Sequence, residues 1–358
     1  MRRSVVSPPM PGAKSPAMLG SRSPAMLGSA GLLTLGLTAL LAACGGGSNS
    51  PAASTRPVSV STGPAAKEIA RPARAPHVAI VQTGTLPAPV QDAAAAAISS
   101  TSFLLLGGID SSEASVADIL NASATGATRI GSLPSALHDA TASFLGGAAY
   151  LFGGGVIESF SAITRVSPSG ATAPAGNLPT AGSDVASAVI GETVYIVGGY
   201  TGQTPLRTIL AWRPGQSARV VATLPKPLRY AAVAALNGAL YIAGGTSGEA
   251  AGRDVYGFYP RENRLARIGT LPAPLTHAAA AVVGDSMYVF GGRSASADGQ
   301  TRRILEIWPN GVVREVGLLP RALSDLAAVT LGGKVVLAGG RDSSGTTQDA
   351  ILTASLSG

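Results

Sequence analysis

The sequence has little charge, few aromatic residues and a single cysteine among its 358 residues. Charged residues make up 13% and aromatic residues 4% of the chain, whereas glycine occurs 46 times. Because a glycine inside a helix costs about 1 kcal/mol relative to alanine, this composition disfavours a helix-rich fold. One cysteine excludes an internal disulfide, and the three histidines show no spacing typical of a metal site. We therefore expect neither a metal nor a cofactor.

The net charge of +7 belongs to the amino-terminal segment. Residues 1–43 carry four basic side chains and no acidic one, and residues 44–76 carry four basic and one acidic. Residues 77–358 hold 18 side chains of each sign. Since a neutral body lacks the basic surface that phosphate binding requires, we expect no nucleic-acid partner.

The apolar run at 30–43 (AGLLTLGLTALLAA) is short. As a helix it would rise about 21 Å, less than the roughly 30 Å hydrocarbon core of a bilayer, which suits the hydrophobic region of an export signal. The run ends in LAAC at Cys44, which resembles the bacterial lipoprotein signal, where the chain is cleaved just before a lipidated cysteine. The resemblance implies a signal peptide over 1–43, a lipid on Cys44 and a flexible linker over 44–76. We therefore expect an exported protein, anchored to the cell membrane or the outer membrane and facing away from the cytoplasm.

Two sequence markers recur in phase through residues 77–358. A Gly-Gly pair closes an apolar run at Gly107, Gly153, Gly198, Gly244, Gly291 and Gly339. A Leu-Pro pair recurs with its proline at Pro87, Pro134, Pro179, Pro225, Pro272 and Pro320. The body therefore consists of six units of about 46 residues, the length of one propeller blade.

Each unit contains four short strand-like runs, and turn pairs such as Gly284-Asp285 join the first two as a hairpin. One antiparallel meander cannot bury both of its faces, so neighbouring units must stack. We predict an all-β fold, a six-bladed β-propeller of four-stranded antiparallel blades. The last unit supplies three strands, and the segment starting at His77 resembles the fourth strand of other units. An amino-terminal strand is therefore predicted to complete the last blade.

The Gly-Gly pair after the second strand, with aromatic residues following it, resembles the blade pattern of the kelch-repeat family over 77–358. The later tryptophan of that family is found here as Trp212 and Trp308, with Phe258 near the corresponding place in the fourth unit. The resemblance implies a six-bladed propeller, a fold that hosts many unrelated activities. We expect a monomeric binding or protein-interaction module whose partner is an unidentified envelope protein or glycan.

A column of polar residues lies five positions after each repeated proline: Asp92, Asp139, Asp184, Tyr230, His277 and Asp325. These positions open the innermost strands, so we expect them to surround one mouth of the central channel. Four carboxylates around one axis are suited to a cation or a polyol. In the alternative interpretation, each aspartate accepts hydrogen bonds from nearby backbone N–H groups, a role that would recur in every blade.

The loops after the Gly-Gly pairs vary most among the units, and variable loops on a repeated scaffold commonly carry binding specificity. We expect these loops on the same face as the channel mouth. The candidate binding residues are Asp110, Tyr200, Arg293 and Arg341, together with Arg229 at the mouth. Each could equally be an ordinary solvated side chain.

Catalytic motifs are scarce: the sequence contains no nucleophile elbow and no phosphate loop, and we assign no catalytic residue. Copper-radical oxidases built on kelch propellers require a cysteine cross-linked to tyrosine, whereas the cysteine here lies at the predicted signal. Sialic-acid mutarotases also use a six-bladed kelch-like ring with charged residues at the channel mouth. The alternative function is therefore a mutarotase-like enzyme acting on a sugar or sialic acid, with Arg229, Tyr230 and His277 as its polar group.

Overall fold

The computed structural model describes residues 77–248, 250–294 and 299–357. These residues form six four-stranded antiparallel sheets and one two-stranded ladder, which confirms the all-β, six-bladed propeller. The predicted signal peptide, Cys44 and the linker lie outside the described residues. Within the described ranges, no helix has the length and apolar character that crossing a membrane requires.

The described chain begins with β1 (His77–Thr85) and then forms the blades in order. Blade 1 consists of β2 (Ala94–Ala97), β3 (Ser102–Leu106), β4 (Asp118–Ser123) and β5 (Ala127–Ser132). Blade 2 consists of β6 (His138–Leu145), β7 (Ala148–Gly155), β8 (Ala162–Val166) and β9 (Thr172–Asn177). Blade 3 consists of β10 (Ala186–Ile190), β11 (Thr193–Val197), β12 (Thr208–Trp212) and β13 (Arg219–Thr223).

The second half repeats this pattern, with a short 3-10 turn at Pro260–Glu262 inside blade 4. Blade 4 consists of β14 (Ala232–Leu236), β15 (Ala239–Ala243), β16 (Asp254–Tyr259) and β17 (Arg264–Thr270). Blade 5 consists of β18 (Ala279–Val283), β19 (Ser286–Phe290), β20 (Arg303–Ile307) and β21 (Val313–Leu318). The last unit supplies β22 (Leu323–Ser324), β23 (Ala327–Leu331), β24 (Lys334–Ala338), β25 (Arg341–Asp342) and β26 (Ala350–Ser357).

The sixth blade combines the two ends of the described chain. Its sheet order is β1-β26-β24-β23, and β1 pairs antiparallel with β26 from His77 opposite Ser357 to Thr85 opposite Ala350. A bulge between Gln82 and Gly84 bends β1 within this pairing. The innermost strands of successive blades touch one another in turn, and β23 of blade 6 touches β2 of blade 1. The blades therefore form a closed ring.

Apolar faces of neighbouring blades pack together to form the core. Between blades 4 and 5, for example, Tyr241, Leu271 and Met287 are buried in one cluster. Equivalent positions on the second strands of five blades are buried: Leu104, Tyr150, Tyr241, Tyr288 and Val336. Tyr195, the equivalent residue of blade 3, remains partly exposed.

The Gly-Gly pairs join each blade to the next one. In blade 3, the N–H of Gly199 donates to the carbonyl oxygen of Leu228, which precedes the inner strand of blade 4, at 2.8 Å. Gly198 lies against the same oxygen with φ of 62°, and a Cβ there would clash with that oxygen. Equivalent bonds recur in all six blades, and the bond from Gly340 to Val90 joins blade 6 to blade 1. The repeat of glycine pairs therefore follows from close contact between backbones.

This contact predicts unequal effects for two glycine substitutions. Gly191 also has positive φ, 59°, but no atom lies within 4 Å of the place that a Cβ would take there. We expect Gly191→Ala to cost about 1 kcal/mol from backbone strain alone. Gly198→Ala adds a clash with the Leu228 carbonyl oxygen, so its cost in free energy of unfolding should be at least twice as large. Urea denaturation of both variants tests this; equal destabilisation would contradict the role of the glycine pair.

Candidate functional site

The six residues of the predicted polar column share a left-handed backbone conformation. Their φ angles lie between 52° and 60° at Asp92, Asp139, Asp184, Tyr230, His277 and Asp325. Aspartate and histidine are among the residues that adopt this region more readily, whereas a tyrosine there is uncommon. The column therefore has a conformational requirement that favours aspartate before any ligand is considered.

This conformation allows the backbone of the column to form a closed ring of hydrogen bonds. Each N–H donates to the carbonyl oxygen of the equivalent residue in the preceding blade, over distances of 2.8–3.2 Å. The bond from Asp92 to Asp325 closes the ring at 3.1 Å. The backbone alone makes the bonds of this ring. In the described part of the chain, the aspartate carboxyl groups bond to other side chains instead. The six side chains therefore surround the channel mouth at one level.

Arg229 and Asp184 form an ion pair on one side of the mouth. The guanidinium Nε of Arg229 donates to Oδ2 of Asp184, whose side chain is 2% exposed. The same guanidinium lies 3.8 Å above the ring centroid of Tyr200 and 5.2 Å from that of Tyr230. This stacking connects a predicted loop residue, Tyr200, to the mouth. Arg229 remains one-quarter exposed, so it faces both the carboxylate and solvent.

A second ion pair lies at the other end of the aspartate series. Arg293 Nη2 lies 2.5 Å from Oδ2 of Asp325, which also accepts a hydrogen bond from the Ser324 hydroxyl. The Asp325 side chain is 1% exposed, whereas that of Arg293 is 33% exposed. Arg293 was predicted as a loop residue, and the structure brings it to the mouth because it pairs with Thr276 just before the column.

Tyr230 and His277 occupy the part of the mouth that has no aspartate. Their rings stack with centroids 3.7 Å apart and planes 23° apart. The Tyr230 hydroxyl crosses the mouth and donates to Oδ2 of Asp139 at 3.0 Å. Burial lowers the pKa of His277 to about 4, so its imidazole is neutral at pH 7. The two residues that interrupt the aspartate series therefore form one aromatic unit.

Burial and mutual repulsion raise the pKa values of two of the four mouth carboxyl groups. Burial, and then the negative charge of Asp184, raise the pKa of Asp139 to about 8. Burial, and then the charges of Asp325 and Asp139, raise the pKa of Asp92 well above its usual range. The side chain of Asp325 thus acts on Asp92, and that of Asp184 on Asp139. Each carboxyl group with a raised pKa is therefore influenced by an aspartate that is paired with an arginine.

Two buried polar atoms at the mouth have no hydrogen-bond partner in the described part of the chain, Nδ1 of His277 and Oδ1 of Asp325. Such atoms are uncommon in folded proteins and mark positions where water or a ligand would bind. The mouth encloses a cavity of about 110 Å³. Below it, the alanine-rich inner strands line a further space of about 200 Å³. The dimensions suit one small polar group rather than a large ligand.

His138 is a mouth residue that the sequence analysis did not select. Its Nε2 lies 3.6 Å from Oδ2 of Asp139, and its Nδ1 lies 2.8 Å from the Ser115 hydroxyl. Burial lowers the pKa of His138, which keeps it neutral beside the neutral Asp139. Its position immediately before the column was the available signal, because Arg229 precedes Tyr230 in the same way.

The two remaining predicted loop residues are Asp110 and Arg341. The Asp110 carboxylate accepts bonds from the N–H and hydroxyl of Ser112 and from the N–H of Ala114, so it stabilises its own turn. The hydrogen bond from the Ser112 hydroxyl is the main cause that lowers the pKa of Asp110. Arg341 is half-buried and lines a shallow groove with Arg293. Its backbone pairs with Ser324, the residue before Asp325, as that of Arg293 pairs with Thr276.

The described residues contain no group of three or more histidine, cysteine, aspartate or glutamate side chains arranged to hold a metal ion. The mouth carboxyl groups are instead committed to arginines and to one another. What this arrangement offers a ligand is hydrogen bonding, from guanidinium groups and an unpartnered imidazole nitrogen.

Comparison with known proteins agrees with this architecture. The sequence model of the Kelch motif matches residues 181–217, which include most of blade 3. The solved structure of YjhT superposes with a TM-score of 0.67 at 13% identity, covering 76% of this chain and 99% of that one. At this identity the likeness shows the fold alone. No curated protein matches the sequence. The chain therefore carries a kelch motif within a six-bladed propeller.

The pKa of Asp139 predicts how stability changes with pH. An aspartate in an unfolded chain titrates near pH 4, so from about pH 4 to 8 the folded protein holds a proton that the unfolded chain has lost. Stability should therefore fall as pH rises across this window. Asp139→Asn removes this titration, so from pH 5 to pH 8 the parent should lose about 3–4 kcal/mol more stability than the variant.

Urea unfolding at several pH values measures this difference. Asp110→Asn is the matched control, because the pKa of Asp110 is lowered and its removal should not reduce the loss of stability at alkaline pH. Parallel pH profiles for the parent and Asp139→Asn would show that Asp139 is not held protonated.

Proposed function

We propose that this kelch-motif propeller is a binding module, held outside the cytoplasm by a lipid on Cys44, and that the mouth face is its recognition surface. The observation that carries the proposal is the convergence of Arg229, Arg293, Tyr230 and His277 on one opening that contains unpartnered polar atoms. The proposed partner is an envelope protein or glycan. The propeller itself is proposed to be a monomer.

The chemistry of the mouth face supports a polar partner. Arg229 and Arg293 are partly exposed and keep donor groups available beyond their carboxylate bonds. Hydroxyl and amide groups suit this face, because they can accept from the guanidinium N–H groups and donate to the unpartnered Oδ1 of Asp325. The mouth cavity is small, so a single polar group would enter it while the loops contact the rest of the partner.

Tyr200 provides a test of the recognition face that leaves the ion pairs intact. We expect Tyr200→Ala to weaken capture of an envelope partner about tenfold, since aromatic and arginine contacts dominate many interfaces. The matched control is Tyr259→Ala, because Tyr259 also stacks on an arginine, Arg264, at 3.9 Å, on a different part of the propeller. Cross-linking to envelope extracts and a glycan array, read for both variants, measure the effect. Equal capture by parent and Tyr200→Ala would contradict this assignment of the face.

The proposed anchor depends on Cys44 alone, the one cysteine of the sequence. In a bacterial host, the parent should incorporate a radiolabelled fatty acid and enter the detergent phase on phase separation. Cys44→Ala should lose both properties, while Ser48→Ala, a substitution in the same linker, should keep them. Unlabelled parent protein would contradict the lipid anchor without affecting the proposal for the mouth.

A second candidate function is a sugar-converting enzyme that works at the mouth, of the mutarotase type. The observation that favours it is that one small cavity is lined by a neutral imidazole, His277, and by a carboxyl whose pKa is about 8, Asp139. Groups that titrate close to neutral pH are effective in proton transfer. Proton NMR of anomeric exchange tests this function: catalysis should be lost in Asp139→Asn. No acceleration by the parent with any envelope sugar would contradict it.

A further inference from the structure

A separate cavity of about 520 Å³ lies between blades 3 and 4, near the hairpin ends of the strands opposite the mouth. Its polar lining includes Thr193, Tyr195, Arg213 and Arg219, and Phe258 of blade 4 forms part of its apolar wall. The volume is in the range of small-molecule sites. This cavity also accounts for the partial exposure of Tyr195, whose equivalents in other blades are buried.

In blade 5, the space equivalent to this cavity is filled by a glutamate side chain. There, the buried carboxylate of Glu306 accepts hydrogen bonds from the Ser286 hydroxyl at 3.0 Å and the Tyr288 hydroxyl at 3.1 Å. Arg314 Nη2 donates to its other oxygen at 2.8 Å, and the side chain of Trp308 also hydrogen-bonds to it. Burial would raise the pKa of Glu306, but these bonds outweigh it and hold the pKa below its usual value. Four donors therefore stabilise one buried carboxylate.

The strand register identifies the blade 3 equivalents of these residues. In blade 5, Tyr288 lies opposite Glu306 and Glu306 lies opposite Arg314. In blade 3, Tyr195 lies opposite Ala211 and Ala211 lies opposite Arg219.

The remaining two donors correspond by position along their strands. Thr193 and Ser286 are the first residues of β11 and β19. Arg213 and Trp308 directly follow β12 and β20. Blade 3 thus keeps a donor at all four positions and has alanine in place of the glutamate.

The donors of blade 3 have no acidic partner of their own. The cavity lining contains no aspartate or glutamate, and within the described residues no carboxylate lies in ion-pair distance of Arg213 or Arg219. Arg213 Nε donates to the Thr193 hydroxyl at 2.8 Å, which leaves the hydroxyl proton of Thr193 available. The lining is therefore a positively charged set of hydrogen-bond donors.

Blade 4 shows that the missing glutamate does not by itself leave a cavity. Gly257 occupies the equivalent position opposite Tyr241, and the Tyr259 ring covers the space, with its hydroxyl 2.8 Å from where a Cβ would lie. The residue corresponding to Tyr259 in blade 3 is Arg213, which extends to Thr193 instead. The blade 3 space is therefore open because no side chain among the described residues fills it.

We propose that the cavity between blades 3 and 4 is a binding site for a carboxylate ligand, with the ligand carboxylate taking the place that Glu306 occupies in blade 5. Arg219 and Tyr195 would bind the carboxylate oxygens, with Thr193 and Arg213 as further donors. The ligand is either a small organic acid or the glutamate side chain of a peptide, since both present the same group. This site is distinct from the mouth and does not depend on the function proposed for it.

The test uses the full-length chain and ligand-observed NMR titration. The probes are N-acetylglutamate α-amide and its uncharged match, N-acetylglutamine α-amide, with a tetrapeptide containing one glutamate as a further arm. We expect the glutamate probe to bind at least about tenfold more tightly than the glutamine probe, because hydrogen bonds to a charged group are the stronger ones. If N-acetylglutamate α-amide binds more tightly than the tetrapeptide, the ligand is a small organic acid. If the tetrapeptide binds more tightly, the ligand is a peptide.

Two variants locate the binding. Ala211→Glu should place a carboxylate of the chain among the same donors and abolish binding of the probe. Arg219→Gln, a change at an exposed position, should fold normally and weaken binding about tenfold or more. Arg129→Gln, an exposed arginine of blade 1 that pairs with Asp118, is the matched control and should bind as the parent does.

The proposal is overturned if the parent does not distinguish the glutamate probe from the glutamine probe. It is also overturned if Arg219→Gln binds as tightly as Arg129→Gln. Because Arg219→Gln does not alter the core, the second criterion holds even if Ala211→Glu fails to fold.

Discussion

A closed ring of backbone hydrogen bonds between left-handed residues determines where the polar side chains of this propeller lie. The ring requires positive φ at six positions, which strains a side-chain-bearing residue by about 1–2 kcal/mol and is tolerated best by residues such as aspartate. Each bond returns about 1 kcal/mol and connects two blades. The glycine pairs add a second set of backbone hydrogen bonds between neighbouring blades. Blade packing, backbone conformation and the choice of aspartate are therefore consequences of one arrangement.

The same arrangement creates an electrostatic problem, because it brings four carboxyl groups together around one axis. Two features reduce this repulsion. Arg229 and Arg293 pair with Asp184 and Asp325, and the pKa values of the other two carboxyl groups, Asp92 and Asp139, are raised. The fifth and sixth positions carry aromatic rings instead of carboxyls. Tyr230 is the bulky exception to the conformational preference of the column, which makes it the position least explained by folding alone.

The repeat spacing was sufficient to predict the blades, because the Gly-Gly pairs mark backbone contacts between neighbouring blades and the Leu-Pro pairs follow the outer strand of each blade. It also placed the polar column at the start of the inner strands. The sequence did not predict the left-handed conformation of the column. The ion pairs of Arg229 with Asp184 and of Arg293 with Asp325 could not be predicted either, because each joins two blades. The cavity of blade 3 could not be predicted without the strand register. The register shows that Ala211 of blade 3 occupies the position that Glu306 occupies in blade 5. Cys44 and the segment around it remain predictions from the sequence.

Amide hydrogen exchange at the six column residues tests the ring most directly. If the ring closes as described, the amides of Asp92, Asp139, Asp184, Tyr230, His277 and Asp325 are all hydrogen-bonded and should exchange slowly, as one protected class. A single column amide that exchanges as fast as those of the exposed hairpin turns, while its neighbours stay protected, would show an open ring and contradict the account.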